Sequence, residues 1–143
     1  LAIDLDEVRE RLLALPWVAD ARVARRLPDT LVIDIDERKP AALWQYRQRL
    51  ALIDKTGRVL TRDRLDRFAH LPLVVGPRAN DRAVGIMAML AGYPEMLAQV
   101  DAAILVGHRR WDVRFKTGET LSLPEGEAQA ARALTLFAKM DAD

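Results

Sequence analysis

The stretch from Leu15 to Pro40 leaves this chain few choices of local structure. Pro16 predicts the end of a preceding helix, because its ring clashes with the turn before it and it has no N–H to donate. Pro28-Asp29 predicts a reverse turn, with proline supplying the fixed φ and aspartate a local side-chain hydrogen bond. Beyond it, Leu31, Ile33 and Ile35 alternate with Val32, Asp34 and Asp36, the period of a half-buried strand. Before it, Ala21 and Val23 alternate with Arg22 and Ala24. The two runs share one apolar face only if Val23 lies opposite Ile33 or Ile35. Both registers need an odd loop, so the spacing predicts a three- or five-residue hairpin loop around Pro28. They also set Arg22 opposite Asp34 or Asp36 on the other face.

Upstream, Asp4 is placed to cap a helix, with Glu7 three residues on as in a capping box. Val8, Leu12 and Leu15 then form one apolar stripe, which reads as core packing. Trp17 after the helix stop reads as a lid closing the helix onto the hairpin, or as an exposed anchor for a partner. Glu37-Arg38-Lys39-Pro40 breaks the alternation, and Pro40 cannot donate to a ladder. A domain boundary is expected here, dividing the chain into 1–39 and 40–143. The junction is short and polar, unlike a flexible Gly/Ser tether.

The second part reads as short strands followed by helices. Ala41 to Tyr46 sets Leu43 on one face and Ala42, Trp44 and Tyr46 on the other. Arg47-Gln48 is a tight turn, Leu50 to Ile53 a return strand, Asp54-Lys55-Thr56-Gly57 a second turn, and Arg58 to Leu60 a third strand. Thr61 to His70 alternates in charge and reads as a solvated loop. Leu71 to Gly76 reads as a short buried strand. Asn80 or Asp81 is expected to cap a helix to about Ala91, weakened by Gly85. A second helix starts at Pro94. Ala103 to Val106 returns to strand. Arg109 to Phe115 alternates, with Trp111, Val113 and Phe115 on one side and Arg110, Asp112 and Arg114 on the other. Lys116 to Glu119 turns into Thr120 to Leu123, and Glu125 to Met140 is a final helix. The fold class expected is α+β: a helix and β-hairpin followed by an antiparallel sheet with covering helices. A helix directly before Asp143 suggests that a closing strand lies beyond it, which would otherwise leave a sheet edge open.

Composition narrows the chemistry. The 143 residues carry 22 basic and 21 acidic side chains, a net charge of +1, which argues against a dedicated nucleic-acid binder. Half the residues are hydrophobic, enough for a packed core. The absence of cysteine excludes disulfides and thiolate metal sites. No apolar run approaches the roughly 18–20 residues that span a bilayer, and no signal peptide is visible. The chain starts at Leu1 without methionine and reads as a fragment, with any membrane anchor or targeting segment upstream. The two histidines, His70 and His108, are far apart and lack carboxylates at ligand spacing. Ser122, the only serine, is expected to be buried in a Leu-Ser-Leu-Pro strand, unsuited to nucleophilic catalysis. The seven glycines are scattered and form no phosphate loop. Asp34, Asp36 and Glu37 beside arginines read as ion-paired surface. These residues point to an interaction module that uses no cofactor.

Several segments, taken in order, carry a resemblance. They are Leu15-Pro16-Trp17-Val18, Ala21-Arg22-Val23, Arg26-Leu27-Pro28-Asp29-Thr30-Leu31 and Glu37-Arg38-Lys39-Pro40-Ala41-Ala42-Leu43-Trp44. Ile53-Asp54 with Gly57, Leu71-Pro72 to Gly76, and Arg109-Arg110-Trp111-Asp112-Val113 with Gly118 and Leu123-Pro124 follow. Together they resemble the bacterial cell-division family FtsQ/DivIB over nearly the whole chain. The resemblance implies a single-pass inner-membrane protein with a periplasmic POTRA domain and a β-domain. It implies a non-enzymatic divisome scaffold that joins FtsB and FtsL, with contacts toward FtsK, FtsW and FtsI. It also implies that residues 1–39 hold the second helix and hairpin of the POTRA domain, and that 40–143 is a β-domain without its closing strands.

Two surfaces carry the expected partner contacts by resemblance. One is the hairpin with Val23, Arg25 and Glu37, similar to the family's recruitment face; ordinary strand positions are the alternative. The other is Arg109 and Arg110 before Trp111, beside the FtsB-binding edge, where paired arginines would meet acidic residues of a partner helix. Two other functions stay open at this point. One is a POTRA-type assembly module of a different membrane system acting by β-augmentation, which would show repeated units. The other is a cell-wall hydrolase, for which Ser122 is the only nucleophile on offer.

Overall fold

The computed structural model describes residues 2–141, which divide into two compact units, Leu1–Lys39 and Pro40–Asp143. In the first unit, helix α1 (Leu5–Leu13) starts at Asp4, whose carboxylate accepts from the backbone N–H groups of Asp6 and Glu7. Glu7 does not complete a reciprocal capping box; its carboxylate pairs with Arg11 one turn on, at 2.8 Å. Val8 and Leu12 are half-buried, but Leu15, beyond the helix end, is 51% exposed and leaves the stripe.

Strands β1 (Val18–Arg26) and β2 (Thr30–Glu37) form a two-stranded antiparallel sheet. Val23 lies opposite Ile33 and Arg22 opposite Asp34, across a three-residue loop at Leu27-Pro28-Asp29. The Leu27–Pro28 peptide is cis. The spacing thus set the register, but not the depth of burial. Ala21 is fully buried, whereas Ile33 and Ile35 are 47% and 42% exposed. The reason is that α1 packs against β1, and β2 carries no covering element among the described residues. Trp17 is 37% exposed, so it is only a partial lid; its carbonyl accepts from Arg38 N–H at 2.8 Å.

The second unit is a seven-stranded sheet. Its strands are β3 (Ala42–Tyr46), β4 (Arg49–Ile53), β5 (Val59–Thr61), β6 (Leu73–Val75), β7 (Val100–Val106), β8 (Arg110–Phe115) and β9 (Thr120–Ser122), in the spatial order β5-β4-β3-β6-β7-β8-β9. The overall class is α+β, as expected, but the sheet is mixed. β6 runs parallel to both β3 and β7, and only the outer pairings are antiparallel. The crossover from β6 to β7 carries α2 (Ala79–Ala91) and α3 (Pro94–Ala98), the kind of connection parallel neighbours require.

One face of this sheet holds the main core. Ala42, Ile53, Val74, Leu105, Val113 and Phe115 pack there against Ala83, Ile86 and Leu90 of α2 and Ala130 and Leu134 of α4 (Glu127–Asp141). Phe115 stacks on Phe137 at 5.6 Å, fastening the last helix to β8. On the opposite face a smaller core forms, where Leu43, Leu52 and Leu60 meet Leu65 and Phe68 of a 3-10 turn together with Leu71 and Leu73.

Two local expectations change. Neither Asn80 nor Asp81 caps α2: the N-cap is Arg78, at φ 57°, with no side-chain bond. The Asn80 amide instead donates to the Gly57 carbonyl at 3.0 Å, tying the helix start to the β4–β5 turn. Ser122 is exposed, not buried, because the inward position on β9 belongs to Leu121.

Gly57 (φ 88°) sits where any Cβ would fall 2.4 Å from the Asn80 carbonyl oxygen, a backbone atom of α2. Gly118 has φ 96° and open space around it. Gly118→Ala should cost only the left-handed backbone penalty, about 1–2 kcal/mol. Gly57→Ala adds a backbone collision and should cost roughly 2–4 kcal/mol in urea denaturation. Equal losses for the two variants would contradict this packing.

Candidate interaction surfaces

The hairpin of the first unit brings two of its three expected residues together. Val23 and Arg25 share one face of β1. Val23 is half-buried opposite Ile33, and the Arg25 guanidinium donates to the Ile3 carbonyl just ahead of α1. Glu37 is exposed at the opposite end of the hairpin, paired with Val18 beyond a register shift.

The other face carries the charge. Arg22 forks onto Asp36, with Nη1 and Nη2 at 3.1 and 3.3 Å from the two carboxylate oxygens. It also reaches Asp20 at 3.5 Å, which in turn meets Arg9 of α1 at 3.2 Å. The Arg22 hydrogen bond and charge hold the Asp36 carboxyl below its usual range, and Asp36 raises Arg22 in return. All of these side chains are solvated, so the network fixes the register more than it adds stability.

On the second unit, Arg109 and Arg110 flank the start of β8, after a tight turn whose Gly107 and His108 both have φ 61°. The structure separates the two arginines in behaviour. Arg110 is partly buried and holds Asp112 at 2.8 Å. Arg109 is 77% exposed and only loosely paired with Glu125 at 3.8 Å. Both line an open cleft of ≈ 600 Å³ with Arg82, Trp111, Ile86 and Glu127. Strand β9 lies next to β8 and has no second neighbour among the described residues. Its outer backbone groups are therefore open to another strand.

A further cluster was not anticipated from the sequence. Trp44, Tyr46, Arg47, Arg49 and Arg62 line a second open cleft at the turn end of the β3–β4 hairpin. The alternation of Trp44 and Tyr46 ahead of two arginines is visible in the sequence, but only the β4–β5 pairing brings Arg62 to Trp44.

Comparison with known proteins agrees with this architecture. The family model "Cell division protein FtsQ/DivIB, C-terminal" matches residues 42–143, and "POTRA domain, FtsQ-type" matches residues 1–38. The chain therefore belongs to the FtsQ/DivIB cell-division family. It is 48% identical over 130 residues to Cell division protein FtsQ of Zymomonas mobilis, covering 90% of this chain and 41% of that protein. It is 47% identical over 139 residues to FtsQ of Novosphingobium aromaticivorans, covering 97% of this chain and 43% of that protein. The chain thus spans less than half the length of these relatives. Among solved structures, the major extracytoplasmic domain of DivIB from Geobacillus stearothermophilus shares the fold. Its TM-score is 0.51 at 21% identity, over 75% of this chain and 93% of that one. No helix among the described residues is long and apolar enough to cross a membrane.

The Asp36–Arg22 pair makes a pH prediction. Because the folded-state pKa of Asp36 is depressed, its contribution is present above the ordinary carboxylate pKa and fades as pH falls through the folded value. In a carboxyl-detected NMR titration, Asp36 should titrate below the usual aspartate range, and Arg22→Ala should return it there. An ordinary midpoint in the wild-type chain would show that the fork does not persist in solution.

Proposed function

We propose that this chain is the periplasmic part of a non-enzymatic divisome scaffold, and that it binds FtsB- and FtsL-type partners through the β8–β9 side of its second unit. Residues 1–39 are read as the second helix and hairpin of a POTRA domain. Residues 40–143 are read as a β-domain whose closing strands follow α4, with a membrane anchor supplied by another part of the protein. The observation that carries this reading is the ordered pair of family matches, POTRA followed by FtsQ/DivIB C-terminal, over nearly the whole chain. FtsK, FtsW and FtsI are the wider set of contacts this reading assigns to the assembly. The hairpin with Val23, Arg25 and Glu37 is its recruitment face.

The geometry gives the reading a mechanism. Strand β9 ends the sheet among the described residues, so the closing strands of this reading would continue it there and a partner's strand would add beyond them; main-chain pairing of this kind gives affinity without a deep pocket. Arg109, beside that edge, is exposed and weakly held by Glu125, so it exchanges one carboxylate for a partner's at little cost. Arg110 is committed to Asp112 and positions the strand start. The two arginines thus differ in role. Reversal at Arg109 removes a contact to the partner, whereas reversal at Arg110 sets a glutamate against Asp112.

In a calorimetric titration with an FtsB-type periplasmic segment, Arg109→Glu should weaken binding by about tenfold, as loss of a charged hydrogen bond does. Its melting temperature should stay within about 2 °C of wild type, as expected for an exposed surface change. Arg110→Glu should weaken binding and also lower the melting temperature. Wild-type affinity in Arg109→Glu would rule out this surface.

A further inference from the structure

We propose that the turn end of the β3–β4 hairpin is a second interaction surface, separate from the β8–β9 side, and that it docks an acidic peptide segment of a partner protein. Trp44 and Tyr46 stack along β3 with ring centroids 6.4 Å apart and planes within 6°. Arg62 lies over Trp44 at 5.9 Å, and Arg47 lies over Tyr46 at 5.1 Å. Arg49 stands directly opposite Tyr46 in the hairpin register. These five side chains line an open cleft of ≈ 520 Å³ without a carboxylate among them.

The charges here are uncompensated. On this unit Arg78, Arg109, Arg110 and Arg114 each have a carboxylate within 4.0 Å, whereas among the described residues arginines such as Arg64 and Arg67 have none but do not gather in one cleft with others. Among the described residues, Arg47, Arg49 and Arg62 have none, and their guanidinium groups donate no hydrogen bond. A guanidinium resting on a ring face spends its flat side on that contact and keeps its in-plane N–H donors for an incoming carboxylate. The seat is rigid as well. The Trp44 indole N–H is fixed by the Gly76 carbonyl at 2.8 Å.

The backbone adds a second observation. Arg47 and Gln48 form the turn with φ of 52° and 65°, a conformation that favours asparagine and glycine. A chain that keeps long polar side chains in a left-handed turn departs from local preference; Arg64, Arg78 and His108 do so singly, and here two such residues stand together beside the cleft.

Charge complementarity selects the occupant. Three cations spread over one cleft suit carboxylates spaced along a peptide, with the aromatic wall taking an apolar side chain between them. A lipid surface fits less well, because inserting side chains must be bare and apolar, and here the rings lie beneath guanidinium groups. Leu50, the exposed aliphatic residue of this hairpin, pairs with Gln45, which alternates out of the Trp44–Tyr46 face.

The test uses the full chain and a fluorescein-labelled peptide of glutamates interrupted by leucine, read by anisotropy and by the tryptophan indole resonances in NMR. The acidic peptide should bind and shift the Trp44 indole signal, while its glutamine counterpart should not bind. Binding should fall about tenfold in Arg49→Gln/Arg62→Gln, as loss of charged hydrogen bonds does. It should be unchanged in Arg109→Glu, which separates this proposal from the divisome reading above. Equal binding of the glutamate and glutamine peptides would overturn it. So would a shift at Trp111 in place of Trp44, or binding of anionic vesicles through these arginines without binding of the peptide.

Discussion

The second unit depends on three residues, Leu73 to Val75, because among the described residues β6 alone joins two antiparallel halves of its sheet. On one side β5-β4-β3 forms a meander, and on the other β7-β8-β9 forms another. β6 runs between them, parallel to both, and bonds from its flanks lock the junction: Leu43 N–H to the Pro72 carbonyl and Gly76 N–H to the Gln45 carbonyl, each at 3.0 Å. The Trp44 indole closes the same corner through Gly76. Val74, 2% exposed, faces the helices from the centre of this splice. A parallel strand this short is stable only because both its neighbours and the α2–α3 crossover are already held by a shared core.

That dependence explains what was legible in the sequence. Alternation assigns a residue to a face, and it did so for Leu43 against Trp44, for Val113 and Phe115 against Arg114, and for Val23 against Arg22. A hairpin loop adds register, so the Val23–Ile33 pairing followed from the spacing around Pro28. Neither rule names the neighbours of a strand reached by a long crossover. Leu71 to Gly76 therefore reads as a buried strand but not as the parallel centre of a mixed sheet. Burial of Ile33 and Ile35 fails for a similar reason: their period is right, but burial needs a second layer, which local sequence does not supply. Asn80, like Glu7, is a case where the residue type misled. Its amide has the chemistry of a cap, yet the approach of the Gly57 turn gives it a stronger use.

The interaction surfaces were legible in part for the same reason. Arg109 and Arg110 are adjacent in the chain, so their pairing was visible, but their inequality was not. It comes from Asp112 and Glu125, one a same-face neighbour two residues along the strand and the other brought back by the chain after β9. The Trp44–Arg62 cluster was harder still, since its members come from β3, the turn after it, β4 and the residue after β5.

In a chain with near-equal numbers of acids and bases, what distinguishes one arginine from another is whether a carboxylate is already in reach. Arg22 and Arg110 are satisfied at 3.1 and 2.8 Å, and their work is internal: they hold a hairpin register and a strand start. Arg109 at 3.8 Å is between states. Arg47 and Arg62 lie over rings, Arg49 lines the same acid-free cleft, and a ring neutralises no charge. A cation resting on an aromatic face keeps its full attraction for an anion while losing little freedom when one arrives. Among these arginines, Arg22 and Arg110 keep their charge at home on acids, and those of the Trp44–Tyr46 cleft leave it on offer.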